Sequence, residues 1–331
     1  MSLKEDINFS LWCDFVERDF LENQFKTLIE DEVIHGATSN PAIFESAISN
    51  SVAYRQQLDM LQANHEKRIY EELAITDIKR ASELLNDLHE QNSNDGFISL
   101  EVDPQLCDDA QGTIEEGVRL YKTIGNDNVM IKVPATQAGY EAMEALTAQG
   151  IHVNATLIFS PQQAIECTKA LDAGIKKSKK DIKAVVSVFV SRLDRECDEL
   201  FASKGLPTLK LGIINAMKCY HEINAFKNRN IRTLFASTGV KSAEISPTYY
   251  VDNLIFANAI NTAPLLTIEH WIKTGSKKPS KLLSMQECQS FFEELETHKI
   301  SMNMVYDKLL LEGLDAFKKS FEDLLSKLVT R

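Results

Sequence analysis

No stretch of the 331-residue chain is apolar for long enough to cross a bilayer. The longest such runs, around 184–190 and 254–260, fall well short of the about 20 residues a spanning helix needs. Lys4, Glu5 and Asp6 precede the first hydrophobic run, unlike a secretory leader, so a cytoplasmic location without a membrane partner is expected. An excess of positive charge is also missing. Thirty-six Lys and Arg stand against 48 Asp and Glu, a formal net charge of −12. No global basic field therefore draws nucleic acid or anionic lipid, and any anionic ligand must be held by a few local cations. The six cysteines (Cys13, Cys107, Cys167, Cys197, Cys219, Cys288) form no C-x-x-C pair, and none of the seven histidines makes a metal-ligand pattern. Free buried thiols and no metal site are the expectation. Cys13 is singled out only because it adjoins Asp14, which raises the question of redox sensitivity. No internal repeat and no Pro-, Gly- or Ser-rich linker divides the chain. One domain over 1–331 is expected, with a helical insert at about 52–93 and a helical C-terminal extension at about 286–329.

With 44% hydrophobic and 25% charged residues, the composition is ample for a large core. Eight short β-type runs recur with helical stretches between them, at 10–14, 33–38, 97–103, 128–134, 151–159, 184–191, 231–238 and 255–261. The connector at 113–125 opens with Thr113 and Glu116 at capping-box spacing and closes on Gly125. The connector at 139–150 also ends in glycine. The insert is long enough for two helices. This alternation predicts an α/β fold, a (β/α)₈ TIM barrel with additional helices.

Side-chain parity tests the idea, because successive strand residues face opposite ways. In "FISLEVD", Ile98, Leu100 and Val102 oppose Ser99 and Glu101. In "NVMIKVP", Val129, Ile131 and Val133 oppose Met130 and Lys132. In "IHVNATLIF", Ile151, Val153, Ala155, Leu157 and Phe159 oppose His152, Asn154 and Thr156, and in "AVVSVFVS" three valines oppose Ser187, Phe189 and Ser191. An antiparallel sheet with one wet face gives the same pattern, but helix-length connectors argue against it. In a parallel barrel the polar set points inward, toward the C-terminal strand ends where such barrels carry their sites. The turn "GATSNPAIF" then marks the end of a barrel strand at that rim.

Lys132 has inward parity, with Glu101 at similar height on the preceding strand. An amine at low dielectric has its pKa lowered and can attack a ketone to give a Schiff base, whose protonated imine serves as an electron sink for C–C cleavage. Glu101 is within reach as acid or base, directly or through a water. The alternative is an ion pair that merely satisfies two buried charges. Asp14, at the end of the first strand, has a second reading as the N-cap of "FVERDFLENQF". Asn40, Asn154 and Thr156 suit polyol hydroxyls, although buried asparagines also pair with backbone. An anion site is expected from "ASTGVKSAE", which puts hydroxyls, a glycine and Lys241 at a predicted helix start, with Arg192 as a second cation. The alternative for Arg192 is a helix-surface pair with Glu196.

These residues resemble a family, the transaldolases, class I aldolase-type enzymes on a (β/α)₈ barrel. "GATSNPAIF" is similar to the family's T-[ST]-N-P signature, and "VMIKVPATQAGYEAMEAL" resembles its active-site lysine signature, with Lys132, Thr136 and Gly139 in place. "SLEVD", "VNATLIFS" and "VSVFVSRLD" extend the likeness over about 10–262, whereas the C-terminal tail shares only its helical character. The resemblance implies that Lys132 forms the Schiff base, that Glu101 and Thr156 manage a catalytic water, and that Asp14 exchanges the proton of the substrate's C4 hydroxyl. Asn40 and Asn154 would hold the dihydroxyacetone unit, with Ser187, Phe189, Arg192 and Ser237 around the rest of the sugar phosphate. Many members carry A-S-F-[RK] after the seventh strand. Here Ser237 is followed by Thr238, Gly239, Val240 and Lys241, so Lys241 stands in for the usual arginine. The implied reaction passes dihydroxyacetone from sedoheptulose 7-phosphate to glyceraldehyde 3-phosphate, in the pentose phosphate pathway, with no metal or organic cofactor. The partners are small sugar phosphates. A homodimer is compatible with this reading, and no motif fixes the assembly. A fructose 6-phosphate aldolase on the same scaffold and a non-catalytic sugar-phosphate-binding barrel are the alternatives.

Overall fold

The computed structural model describes residues 2–329. Eight parallel strands close into a barrel in chain order, the last pairing with the first. They are β1 (Ser10–Cys13), β2 (Gly36–Thr38), β3 (Phe97–Glu101), β4 (Val129–Pro134), β5 (His152–Ile158), β6 (Ala184–Phe189), β7 (Ile231–Ala236) and β8 (Ile260–Ala263). Every strand residue is buried, by the interior on one side and the surrounding helices on the other. Several crossover helices are capped by a residue of the loop that ends the preceding strand. Asn40 caps Pro41–Asn50, Thr136 caps Gln137–Ala148, and Ser160 and Gln163 make a capping box on Pro161–Lys177. The polar rim of the barrel is thus partly a set of helix starts. Among the described residues no helix is long and apolar enough to cross a membrane, and all six cysteines are free and buried. Cys13 is inert by position: burial first, then the adjacent Asp14 charge, push its thiol pKa up.

Several expectations shift. The eighth strand was expected at 255–261 but lies at Ile260–Ala263. The apolar run before it forms a turn, with Asn258 in the left-handed region at φ 57°, and pairing with Ser10 and Leu234 begins only at Ile260. The helix expected to open at Thr113 starts at Ala110, because Asp109 caps it by accepting from the Gly112 N–H at 2.9 Å. Glu116 does not close a capping box; it accepts from Lys67 and from the Asp103 N–H, tying the insert to the barrel. Gly125 ends that helix at φ 77°, as expected. The insert holds three α-helices rather than two, Arg55–Leu61, Glu66–Leu84 and Asn86–Gln91. The C-terminal extension is two helices, Met285–Thr297 and Met302–Val329.

The strict alternation expected through β5 also fails. Ala155 pairs with Val186 and Ile158 with Val188, so β5 carries one extra residue, a β-bulge. Leu157 adopts φ 58°, costly for a bulky side chain. Thr156 lies within that irregular stretch on the β6 side but keeps its place opposite Pro134 of β4. Phe159, expected on the face opposite Phe189, instead packs edge-on against that ring with centroids 5.3 Å apart.

Candidate active site

Glu101 and Lys132 are direct register partners across β3 and β4, and Lys132 is in turn the partner of Asn154 on β5. Two neighbouring inward positions therefore carry opposite charges at one height. Lys132 Nζ lies 3.3 Å from Glu101 Oε2, and both residues are only 5% exposed. The ammonium donates to the Ser39 carbonyl at 3.0 Å, in the turn after β2. Glu101 Oε2 has the ion contact but no aligned hydrogen bond, and the buried Thr156 hydroxyl has no protein partner. Burial pushes the Glu101 carboxyl up to about 7; the Lys132 charge opposes the rise and the Asp14 charge adds to it. A carboxyl at that value can donate or accept a proton near neutrality.

The end of β4 is held tightly. Thr136 accepts from the Gly139 N–H at 3.0 Å and donates to the Cys107 carbonyl at 2.6 Å. The following helix comes so close that a Cβ on Gly139 would sit 2.0 Å from the Pro134 carbonyl oxygen, which explains the glycine of the lysine-bearing motif.

Asp14 follows β1, and its backbone N–H bonds to Ala263 at 2.9 Å. Its carboxylate accepts from the Thr38 hydroxyl at 2.7 Å, which also contacts the Thr262 hydroxyl at 2.7 Å. Burial raises its pKa, partly offset by Lys132 and by the Thr38 bond. The helix-cap alternative does not hold, since Glu17 does the capping through the Phe20 N–H at 2.9 Å. Asn154 is fully buried, donating to Ser99 Oγ at 2.9 Å and accepting from Ser187 Oγ at 2.6 Å. Asn40 Oδ1 accepts from the Ile43 N–H at 3.0 Å.

A cavity of about 340 Å³ opens at the C-terminal end of the barrel. Asp14, Asn40, Lys132, Thr156, Ser187, Phe189, Arg192, Ser237 and Lys241 line it, all of the expected residues except Glu101 and Asn154, which stand behind Lys132 and Ser187. Arg192 places its guanidinium carbon 5.3 Å from the centroid of the Phe189 ring. It makes no pair with Glu196, whose carboxylate accepts from Lys308 at 2.6 Å. Burial lowers the Arg192 pKa, and Arg195, one turn along the helix and also at the cavity, lowers it further.

Lys241 is not at a helix start. After β7, Ser237 turns into the left-handed region at φ 54°, and no helix forms until Tyr249–Asn253. Ser242 instead accepts from the Glu244 N–H at 3.2 Å, a local turn that competes with helix. Lys241 therefore reaches the cavity as an exposed cation on a loop.

Sequence reasoning missed Arg195, Thr38 and Thr262, and it missed Phe317. The last comes from Met302–Val329, yet its ring lines the same cavity with its centroid 5.6 Å from Lys132 Nζ. The one available signal was Gly313, a glycine inside a long helix, which marks close packing.

The family model described as transaldolase/fructose-6-phosphate aldolase matches residues 11–328. The chain is 48% identical over 317 residues to a transaldolase of Helicobacter pylori (strain P12), covering 96% of this chain and 98% of that protein. It is 44% identical over 334 residues to a transaldolase of Campylobacter jejuni (strain RM1221), covering 97% and 99% respectively.

Proposed function

Because this chain belongs to the transaldolase/fructose-6-phosphate aldolase family, we propose that it works as a transaldolase, moving a dihydroxyacetone unit between sugar phosphates through a Schiff base on Lys132. The observation that carries the reading is the buried Lys132–Glu101 contact of 3.3 Å at a cavity whose lining also includes Arg192, Arg195 and Lys241. A ketose phosphate fits that polarity, with its keto carbon at the amine and its phosphate at the cations. Lys132 gives a proton to Glu101, 3.3 Å away, and the free amine attacks C2 of sedoheptulose 7-phosphate; loss of water leaves the protonated imine. Asp14 takes the C4 hydroxyl proton while the C3–C4 bond breaks and its electrons pass into the imine as an enamine. Erythrose 4-phosphate leaves as the aldehyde. The enamine carbon then attacks glyceraldehyde 3-phosphate, Asp14 returns the proton to the new alkoxide, and hydrolysis of the imine frees fructose 6-phosphate and Lys132.

Glu101 and Thr156 present the two buried oxygens without a hydrogen-bond partner in this region, which suits them to hold the water lost and regained at the imine. A Glu101 carboxyl near 7 exchanges protons with that water at little cost. Asn40 and the Asn154–Ser187 pair supply amide and hydroxyl groups for the three-carbon unit, and Ser237 joins the phosphate end. The test is borohydride reduction in the presence of fructose 6-phosphate, read by mass spectrometry. The dihydroxyacetone adduct is expected on the Lys132 peptide; an unmodified Lys132 after a productive incubation removes the mechanism.

A further inference from the structure

The C-terminal helix, Met302–Val329, crosses the mouth of the barrel. On the β6 side Lys308 pairs with Glu196 at 2.6 Å and the Tyr306 hydroxyl donates to Asn215 at 2.7 Å. On the far side Glu322 accepts from Gln105, after β3, at 2.7 Å, and Phe321 packs edge-on against Tyr70 of the insert at 5.2 Å. Between these anchors the helix is pressed down onto the strand ends. A Cβ on Gly313 would lie 3.0 Å from the side chain of Leu157, the strained residue of the β5 bulge, and 3.5 Å from the Arg192 guanidinium. One helical turn further, Phe317 is 7% exposed and turns its ring over Lys132 Nζ.

We propose that Phe317 is a specificity-determining residue that decides whether the bound three-carbon unit is transferred or hydrolysed. The inference rests on the Schiff-base reading of Lys132 given above. After the first aldehyde leaves, the enamine has two fates. Carbon–carbon bond formation with an incoming aldehyde completes transfer. Alternatively, the enamine carbon takes a proton, water oxygen adds to the imine carbon, the nitrogen regains its proton, and the C–N bond breaks to give free dihydroxyacetone and the amine. No electrons are gained or lost on either route. The second route needs water beside the imine carbon and a neutralisable positive nitrogen. An aromatic ring about one contact away opposes both, because it excludes water from that side and holds the cationic nitrogen against its π face. Glu101 and Thr156, on the two strands that flank β4, are where water is admitted under control. The covering ring comes from a helix anchored on both sides of the barrel, so the shield is fixed before substrate arrives.

The test is a size series, Phe317→Leu, Phe317→Val and Phe317→Ala, in the full-length enzyme with fructose 6-phosphate as donor. For each variant two rates are measured: glyceraldehyde 3-phosphate release without acceptor, which reports hydrolysis, and sedoheptulose 7-phosphate formation with erythrose 4-phosphate, which reports transfer. Their ratio is independent of the fraction of active protein, so a merely structural role does not move it. Hydrolysis relative to transfer is expected to rise as the side chain shrinks, by roughly thirtyfold for alanine, the weight of a desolvated cation–π contact, with leucine staying near the parent. If alanine does not fold, valine decides. A ratio that is flat across the folded members overturns the proposal. Borohydride trapping on the same samples separates the two levels: no adduct on parental Lys132 sinks the Schiff-base reading, whereas a normal adduct with a flat ratio sinks only the role of Phe317.

Discussion

Each end of the barrel buries a charged cluster, and the two are built from the same kinds of side chain. At the N-terminal end Arg232 of β7 donates to the carbonyls of Asn8, Asn94, Asn258 and Ala259, to Ser10 Oγ at 2.9 Å and to Asp95 at 3.1 Å. Asp95 also accepts from Lys4, Ser10 and Asn92. Burial alone would raise the Asp95 pKa, but the charges of Arg232 and Lys4 outweigh it and hold the carboxyl below its usual value. At the C-terminal end Lys132 faces two carboxylates, and both have raised pKa values. Glu101 Oε2 is left without an aligned bond. A buried carboxylate outweighed by two neighbouring cations keeps its charge and braces the fold. One left short of partners changes protonation readily, which is what catalysis uses.

The largest expected contrast is between Lys132→Met and Arg232→Met. The first is expected to remove about 10⁴-fold or more of the activity and all borohydride trapping. Its unfolding free energy should stay near the parent's, because Glu101 becomes neutral when its partner is gone. The second should cost about 3–5 kcal/mol of stability, as when one partner leaves a buried ion pair, while the folded fraction keeps its turnover. Urea unfolding and initial rates on both proteins test this. A Lys132→Met enzyme as unstable as Arg232→Met would mean that the mouth pair is also a brace. Next in size is Glu101→Gln, expected to slow the reaction by about 10²–10⁴-fold without lowering stability. Single-turnover kinetics should show imine formation and hydrolysis slowed together; a loss confined to KM would remove Glu101 from proton transfer.

The two clusters also predict opposite pH slopes. Glu101 titrates at about 7 in the folded chain against an ordinary 4.5. The folded state therefore binds more protons between those values, and stability from this group falls as pH rises from about 4.5 to 7. Asp95 is depressed below its ordinary 3.8. Its contribution is complete above that value and is lost as pH falls through the folded pKa. Glu101→Gln should accordingly flatten the slope on the neutral side, and Asp95→Asn the slope on the acid side, in unfolding curves measured from pH 3 to 8 at constant ionic strength. Exchanged effects would contradict the comparison.

What made the mouth legible in advance was short-range regularity. Strand parity over 97–103 and 128–134 put Glu101 and Lys132 on one inward face, and both strands obey it without interruption. Where a local irregularity intervenes, pattern reasoning fails. The bulge at Leu157 reverses parity for Phe159 and depends on pairing with β6, a partner distant in sequence. The apolar run at 255–261 has a strand's composition, but register with β1 and β7 starts the strand at its last two residues. Lys241 was assigned to a helix on composition, and a serine turn took its place. For Phe317 the glycine at 313 signals only that its helix packs closely, and an amphipathic stripe of Tyr306, Leu309, Leu314, Phe317, Phe321 and Leu324 shows that a helix is buried, not what it covers.

The smallest expected effect lies at the outer edge of the same mouth. Lys241 is exposed on its loop, so its attraction for a phosphate acts through water and is screened by salt, unlike the buried Lys132–Glu101 contact. Arg192, half-buried against Phe189, and Arg195 line the same cavity and would share the task. Lys241→Ala should therefore raise KM for sugar phosphates only about two- to fivefold at low ionic strength, the range of an exposed ion pair, and leave kcat unchanged. Raising salt to about 0.5 M, where the screening length is a few ångströms, should erase the difference between variant and parent. A KM that is unchanged at low salt would take Lys241 out of the phosphate site and leave the two arginines to hold it, whereas a fall in kcat would place the loop in the chemistry itself.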